Sequence, residues 1–277
     1  MSDDTSPYRE AEPGPARTGV GRRMWRYEAA DGGSRIERIP ADGCAELIVH
    51  LGAPYREIGP DGAEREQPGV LFAGQLTKPL AIVAAGRVAT LGVRFEPEAA
   101  RRFFGAPMDS ATDARLDVTA IDPEGAAALR AGLRDAKAWS ARLALAETYV
   151  AERIRTLAIP PDDIVTSAVR AMTRGETPDA ASLSERQFQR RFKTEVGVSP
   201  RTFQSILRFR RVFEEIERGA ADWITAALAA GYFDQPQMAR DFRRFLGCTA
   251  TEWAREKAGL SAALAAESYK PRGGRRG

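Results

Sequence analysis

Arginine and glutamine side chains set at helical spacing are the most chemically suggestive residues of this 277-residue chain. In the stretch DQPQMARDFRRF, Gln235, Gln237, Arg240, Arg243 and Arg244 fall opposite Met238, Phe242 and Phe245, so a helix here would bury one face and present the other. Guanidinium and carboxamide groups make the paired hydrogen bonds that distinguish guanine and adenine edges in a major groove. Asp234 is placed to cap this helix, and Asp222 to cap an earlier one carrying Trp223, Ile224, Ala227 and Leu228 as apolar positions, which Gly231 ends. Residues 221–253 therefore predict a helix, a tight turn and a second helix with a charged outer face.

The same pattern stands fifty residues upstream. Setting Ser184 against Asp234 aligns Phe188 with Met238, Arg190 with Arg240, Phe192 with Phe242, Lys193 with Arg243, Gly197 with Gly247 and Phe203 with Trp253. Two copies of one unit follow. On the first, Arg186, Gln189 and Arg190 project outward, and Lys193 lies a turn later. Ser199 and Pro200 open a joining helix to Arg218, with Phe203, Ile206, Leu207, Phe213 and Ile216 inward. At about 1.5 Å per residue that helix spans about 28 Å, near the 34 Å or so between successive major grooves. Of Arg208, Arg210 and Arg211 on it, at least one is expected to pack rather than meet a phosphate. The copies differ in one respect. Arg174, Gly175, Glu176, Thr177 and Pro178 occupy the place of Ile224 to Leu228, and Gly and Pro oppose a helix, so the first reader is expected to be the softer one.

These segments, SERQFQRRFKTEVGVSP and GYFDQPQMARDFRRFLGCTAT, resemble the paired helix-turn-helix domain of AraC/XylS-type transcriptional regulators over about residues 164–257. The resemblance implies base contacts from Arg186, Gln189 and Arg190 and from Gln235, Gln237 and Arg240. Lys193, Arg243 and Arg244 suit phosphates. It also implies double-stranded DNA and RNA polymerase as partners. Three departures stand out: Gln237 where His is usual, Pro236 after the first exposed glutamine, and Ala250 where proline is usual. The segment PADGCAELIVHLG followed by VATLGVRFEPEAA resembles, more loosely, the cupin-like N-terminal β domain that accompanies such regions in bacterial regulators of unknown ligand.

The N-terminal half must position or control these readers. Short β-branched or alternating runs at residues 45–51, 69–73, 80–85 and 88–95, separated by turn signals, predict a small β barrel or half-barrel. Arg94 lies on the face of its strand that meets either solvent or a cavity, and Glu46 and Asp42 are candidates to pair with it. Arg94 and Glu46 are accordingly candidate ligand-binding residues for a polar small-molecule effector. Helices are expected at 97–104, 122–134, 139–158 and 163–173. The fold class is α+β, with the chain divided into a disordered N-terminus (1–22), a β sensor or dimerisation domain (23–120), a helical connector (121–160), a double helix-turn-helix domain (161–258) and a basic tail (259–277).

Composition supports this division. The formal net charge is +3, yet residues 182–277 hold 18 basic against 11 acidic residues, leaving the rest of the chain about four negative. Two distant cysteines, Cys44 and Cys248, imply no disulfide framework, no metal site and a reducing cytoplasm. No signal peptide or long apolar run suggests a membrane. The one histidine, His50, sits in the run LIVHLG without a second His or a phosphate-binding loop, so no enzyme and no cofactor are expected. The competing expectation is a small-molecule-binding or catalytic β domain whose helical half serves protein interaction.

Overall fold

The computed structural model describes residues 7–12, 20–30, 33, 36–179 and 182–256. The expected basic tail, 259–277, lies outside them. The β strands are β1 Tyr8–Ala11, β2 Gly21–Ala29, β3 Glu37–Ile39, β4 Glu46–His50, β5 Arg56–Ile58, β6 Glu64–Glu66, β7 Val70–Ala73, β8 Leu80–Val83, β9 Val88–Phe95 and β10 Arg115–Asp117. They form a six-stranded sheet, ordered β1-β2-β9-β4-β7-β10, and a four-stranded sheet, ordered β3-β8-β5-β6. Part of the stretch expected to be disordered is thus a strand. Tyr8–Ala11 pairs antiparallel with β2, and the Tyr8 ring stacks on Trp25 with centroids 6.1 Å apart.

Strand β9 is buried along its whole length. Leu91, Val93 and Phe95 enter one apolar core and Val88 another, because helices cover the back of the large sheet while the small sheet faces its front. Gly92 is required in this strand. A Cβ there would lie 2.1 Å from the Trp25 ring, which crosses it from the paired strand. Helices α1 Ala100–Phe104, α2 Pro123–Asp135 and α3 Trp139–Leu157 provide the covering layer. Phe72 stacks on Phe104 at 4.8 Å, and Leu129, Leu133, Ala146, Tyr149 and Val150 join the same core. Residues 121–160, expected as a connector, therefore belong to the N-terminal core. Helix α1 starts at Ala100 rather than at Pro97.

The C-terminal half is helical: α4 Asp163–Arg174, α5 Glu185–Val196, α6 Pro200–Glu217, α7 Trp223–Ala229, α8 Gln235–Leu246 and α9 Ala250–Glu256. The expected caps are present. Ser184, Ser199, Asp222 and Asp234 each accept a backbone N–H of their helix's first turn, and Gly197 and Gly247 close α5 and α8 in the left-handed region. Such caps contribute about 1 kcal/mol each. As the Gly and Pro of that stretch require, the described residues between Arg174 and Ser184 form no helix, so only the second copy has its supporting helix.

Helix α7 packs differently from its sequence pattern. Ile224 and Leu228 are 50% and 59% exposed, whereas Ala226 and Ala227 are buried against α6 and α8. The small residues win that face because they allow close approach to Phe213 and Phe242, on which Trp223 also leans edge-on. On α6, Phe209 and Val212 join the expected inward residues. All three of its questioned arginines are tied within the protein. Arg208 reaches Asp241 and lies over the Tyr232 ring, Arg210 is buried beside Glu214, and Arg211 donates to the carbonyls of Met172 and Thr173 at the end of α4.

Candidate nucleic-acid interface and buried cavity

Each recognition helix begins with a reciprocal cap. Gln187 N–H donates to Ser184 Oγ while Ser184 N–H donates to Gln187 Oε1, and Gln237 N–H donates to Asp234 Oδ1 (2.6 Å) while Phe233 N–H donates to Gln237 Oε1 (3.1 Å). Half of the Gln237 carboxamide is therefore spent on the helix end, which leaves its NH2 group as the outward donor. Gln189 also donates to Glu185, one turn back.

Beyond the caps, cations of the helical half differ in whether they are tied within the protein. Arg191 is held by Asp162 at 2.7 Å, and Arg208, Arg210, Arg211 and Arg218 all have partners. Arg186, Arg190, Lys193 and Arg240 are exposed and carry no ion pair among the described residues. Gln235, Arg243 and Arg244 are exposed as well, Arg244 lying over the Phe245 ring at 4.9 Å. Uncompensated positive charge thus collects on the outer faces of α5 and α8, where an anion would meet donors without having to displace a carboxylate. Phe233, 89% exposed at the front of α8, escaped the sequence pattern, since its counterpart Leu183 is partly buried.

In the N-terminal half, the two sheets enclose a cavity of about 80 Å³ lined by Trp25, Ile48 and Arg94 from one and Ile39, Leu80 and Ile82 from the other. Arg94 is 3% exposed, which settles the orientation left open by strand alternation in favour of the cavity. Its Nε lies 2.6 Å from Glu46 and 3.4 Å from Asp42. Burial alone would lower the Arg94 pKa, but the two carboxylates outweigh it and hold the guanidinium well above its usual range. Burial also pushes the Glu46 carboxyl up, with Arg94 opposing.

A second polar chain runs along the cavity wall. The His50 ring lies 3.3 Å from Thr90 Oγ1 and 3.1 Å from Gln67 Oε1, Gln67 donates to Glu57, and Glu57 receives Arg115 on both oxygens at 2.8 Å. Burial lowers the His50 pKa to about 4, so the ring is neutral near pH 7. Tyr55 borders the same space. It is 2% exposed, and its hydroxyl has no hydrogen-bond partner among the described residues. Among those residues, no helix is long and apolar enough to cross a membrane.

The loops of the N-terminal half reach the helical half directly. Ala41 N–H donates to the Phe245 carbonyl, Arg210 donates to the Asp42 carbonyl, and Thr112 donates to the Gly197 carbonyl.

Two stretches of the chain match known families. Residues 179–256 match a family described as a helix-turn-helix domain, and residues 10–117 match one described as a domain of unknown function. No curated protein matches. Among solved structures, ToxT from Vibrio cholerae at 1.65 Å resolution is 9% identical, with a TM-score of 0.45 over 92% of this chain and 100% of that one. A structure of ToxT with an unsaturated fatty acid bound is 8% identical, covering 84% and 93% of the two chains at 0.44. Another, bound to (E)-4-(8-methylnaphthalen-1-yl)but-3-enoic acid, is 9% identical, covering 90% and 98% at 0.45. Two capped recognition helices joined by one spacer, within a matched helix-turn-helix region, make the C-terminal part an AraC-type domain and the protein a DNA-binding transcriptional regulator.

Proposed function

We propose that α5 and α8 enter successive major grooves on one face of duplex DNA. Arg186, Gln189 and Arg190 on the first and Gln235, Gln237 and Arg240 on the second contact base edges, while Lys193, Arg243 and Arg244 contact phosphates. The observation that carries this is the sorting of charge: the recognition faces keep unpaired cations at repeat-related positions, while neighbouring arginines are tied down. The 18 residues of α6 span about 27 Å, which suits adjacent grooves. Phe233, beside these donors, suits a thymine methyl group.

The cavity between the sheets is proposed to hold a small effector, bordered by Arg94, Glu46 and Tyr55. Its charges are already paired with one another, which favours an uncharged, mostly apolar molecule able to bond the Tyr55 hydroxyl. We further propose action in the cytoplasm, by binding rather than catalysis, with RNA polymerase and a second copy of the chain as partners. Footprinting on genomic DNA, followed by titration of the recovered site between 50 and 200 mM salt, tests the DNA assignment. Three phosphate contacts call for a slope of log affinity against log salt of at least about −2.7. Affinity independent of salt, or protection confined to a single groove, would overturn it.

A further inference from the structure

The two readers carry the same aromatic interior but unequal support. Helix α8 rests on α7, whose Ala226 and Ala227, with Ala230 just beyond its end, share a core with Met238 and Phe242. Among the described residues helix α5 has no such neighbour, yet Phe188 and Phe192 are 9% and 0% exposed. Helices α4 and α6 cover part of it. Its C-terminal end meets the N-terminal domain instead. Arg101 on α1 donates to the Glu195 carboxylate at 2.5 Å, and Glu195 is 5% exposed. Thr112 Oγ1 donates to the Gly197 carbonyl at 2.6 Å. A Cβ on Gly197 would stand 3.1 Å from both the Met108 carbonyl oxygen and Thr112 Oγ1, so the two surfaces touch at backbone level. Met108 and Ala111, in the short 3-10 helix Met108–Ala111, are fully buried in the N-terminal core, which makes the seat stiff.

We propose that the N-terminal domain replaces the missing helix of the first reader, with Arg101 and Thr112 as positioning residues that set where α5 sits. Its effect on DNA rests on the function proposed above; its effect on the helix does not. The N-terminal domain also touches the second reader, where Pro79 abuts Gly247 and Ala41 bonds Phe245, but α8 keeps α7 in addition. Loosening the Arg101 and Thr112 seat should therefore free α5 and leave α8 in place.

The test uses the full chain with Arg101→Gln and Thr112→Val, beside the conservative Arg101→Lys and Thr112→Ser. Without DNA, amides of residues 187–191 should exchange at least about tenfold faster in the first pair, since Glu195 loses its partner or the Gly197 carbonyl its donor. Amides of residues 237–241 should stay within about twofold, and the conservative variants should restore α5. On DNA, hydroxyl-radical protection should fade over one groove and persist over the other. Unchanged α5 exchange, or equal acceleration in both helices, overturns the proposal. Failure to bind DNA alongside selective loosening of α5 would count against the function proposed above and leave the positioning role standing.

Discussion

Replacing Arg94 with Met keeps most of the side-chain volume and removes the cation held by Glu46 at 2.6 Å and Asp42 at 3.4 Å. Glu46 then loses its nearest cation in a buried space, while Asp42 keeps the Cys44 N–H and the neighbouring charges of Arg22 and Arg210, and breaking a buried pair from one side costs about 3–5 kcal/mol. At about 2–4 °C per kcal/mol for a unit of this size, the N-terminal domain should melt roughly 10 °C lower at pH 8. The deficit should depend on pH in a fixed direction. Burial already raises the Glu46 pKa, and losing Arg94 raises it further. A carboxyl whose folded pKa exceeds its unfolded value of about 4.3 contributes stability below that value and loses it as pH climbs through the folded pKa. The variant should therefore regain stability between pH 8 and pH 5, and Arg94→Met combined with Glu46→Gln should recover much of the loss at pH 8. Thermal melts followed by near-ultraviolet circular dichroism at pH 8, 6.5 and 5 measure this. A deficit under about 1 kcal/mol at pH 8, or one that grows on acidification, would refute the buried-pair account.

Arg240→Ala should cost about 1–3 kcal/mol in specific binding and relax preference at one base pair, whereas Arg243→Ala should weaken all sequences alike and flatten the salt slope by about one; equal effects of the two changes on specific and random DNA would remove the division of roles. His50 has a folded pKa of about 4, below its unfolded value near 6.5, so the stability it contributes above pH 6.5 drains away as pH falls toward 4. His50→Gln should show a flatter stability profile across that window, and parallel profiles for variant and wild type would contradict the assignment. Tyr55→Phe removes a buried hydroxyl that has no protein partner, so melting should show unchanged or slightly raised stability. A loss above about 1 kcal/mol would mean that the hydroxyl is bonded in the free protein.

What the sequence disclosed was what is encoded locally. Asp222, Asp234, Ser184 and Ser199 announce helix starts because a cap bonds only its own first turn, and the fifty-residue echo followed from such signals. The outward set on α5 and α8 was legible for the same reason, through period and side-chain type. Strands β5 and β6, with REI and ERE, were not, since three mostly charged residues leave no alternation to detect. Nor was the buried face of α7, because spacing cannot say whether Ile224 or Ala226 meets Phe242. The expectation of a softer first reader rested on Gly175 and Pro178, where the described residues form no helix. It omitted the seat that Arg101 and Thr112 provide, since those residues lie 94 and 85 positions from their partners and no local pattern reports such a meeting.

Those separations also bear on how the molecule assembles. The bond between Arg210 and the Asp42 carbonyl spans 168 positions, and the joins between the halves at Ala41, Asp42, Arg101 and Thr112 all have their earlier partner at or before Thr112. At about 5–20 residues per second of synthesis, the strands and their covering helices leave the ribosome seconds before α5 does, and domains generally fold as units in the order of synthesis. The recognition helices thus emerge beside a template that is already complete. A circular permutant that releases α4 to α9 first would reverse this order, asking α5 to wait unsupported while its seat is still being made.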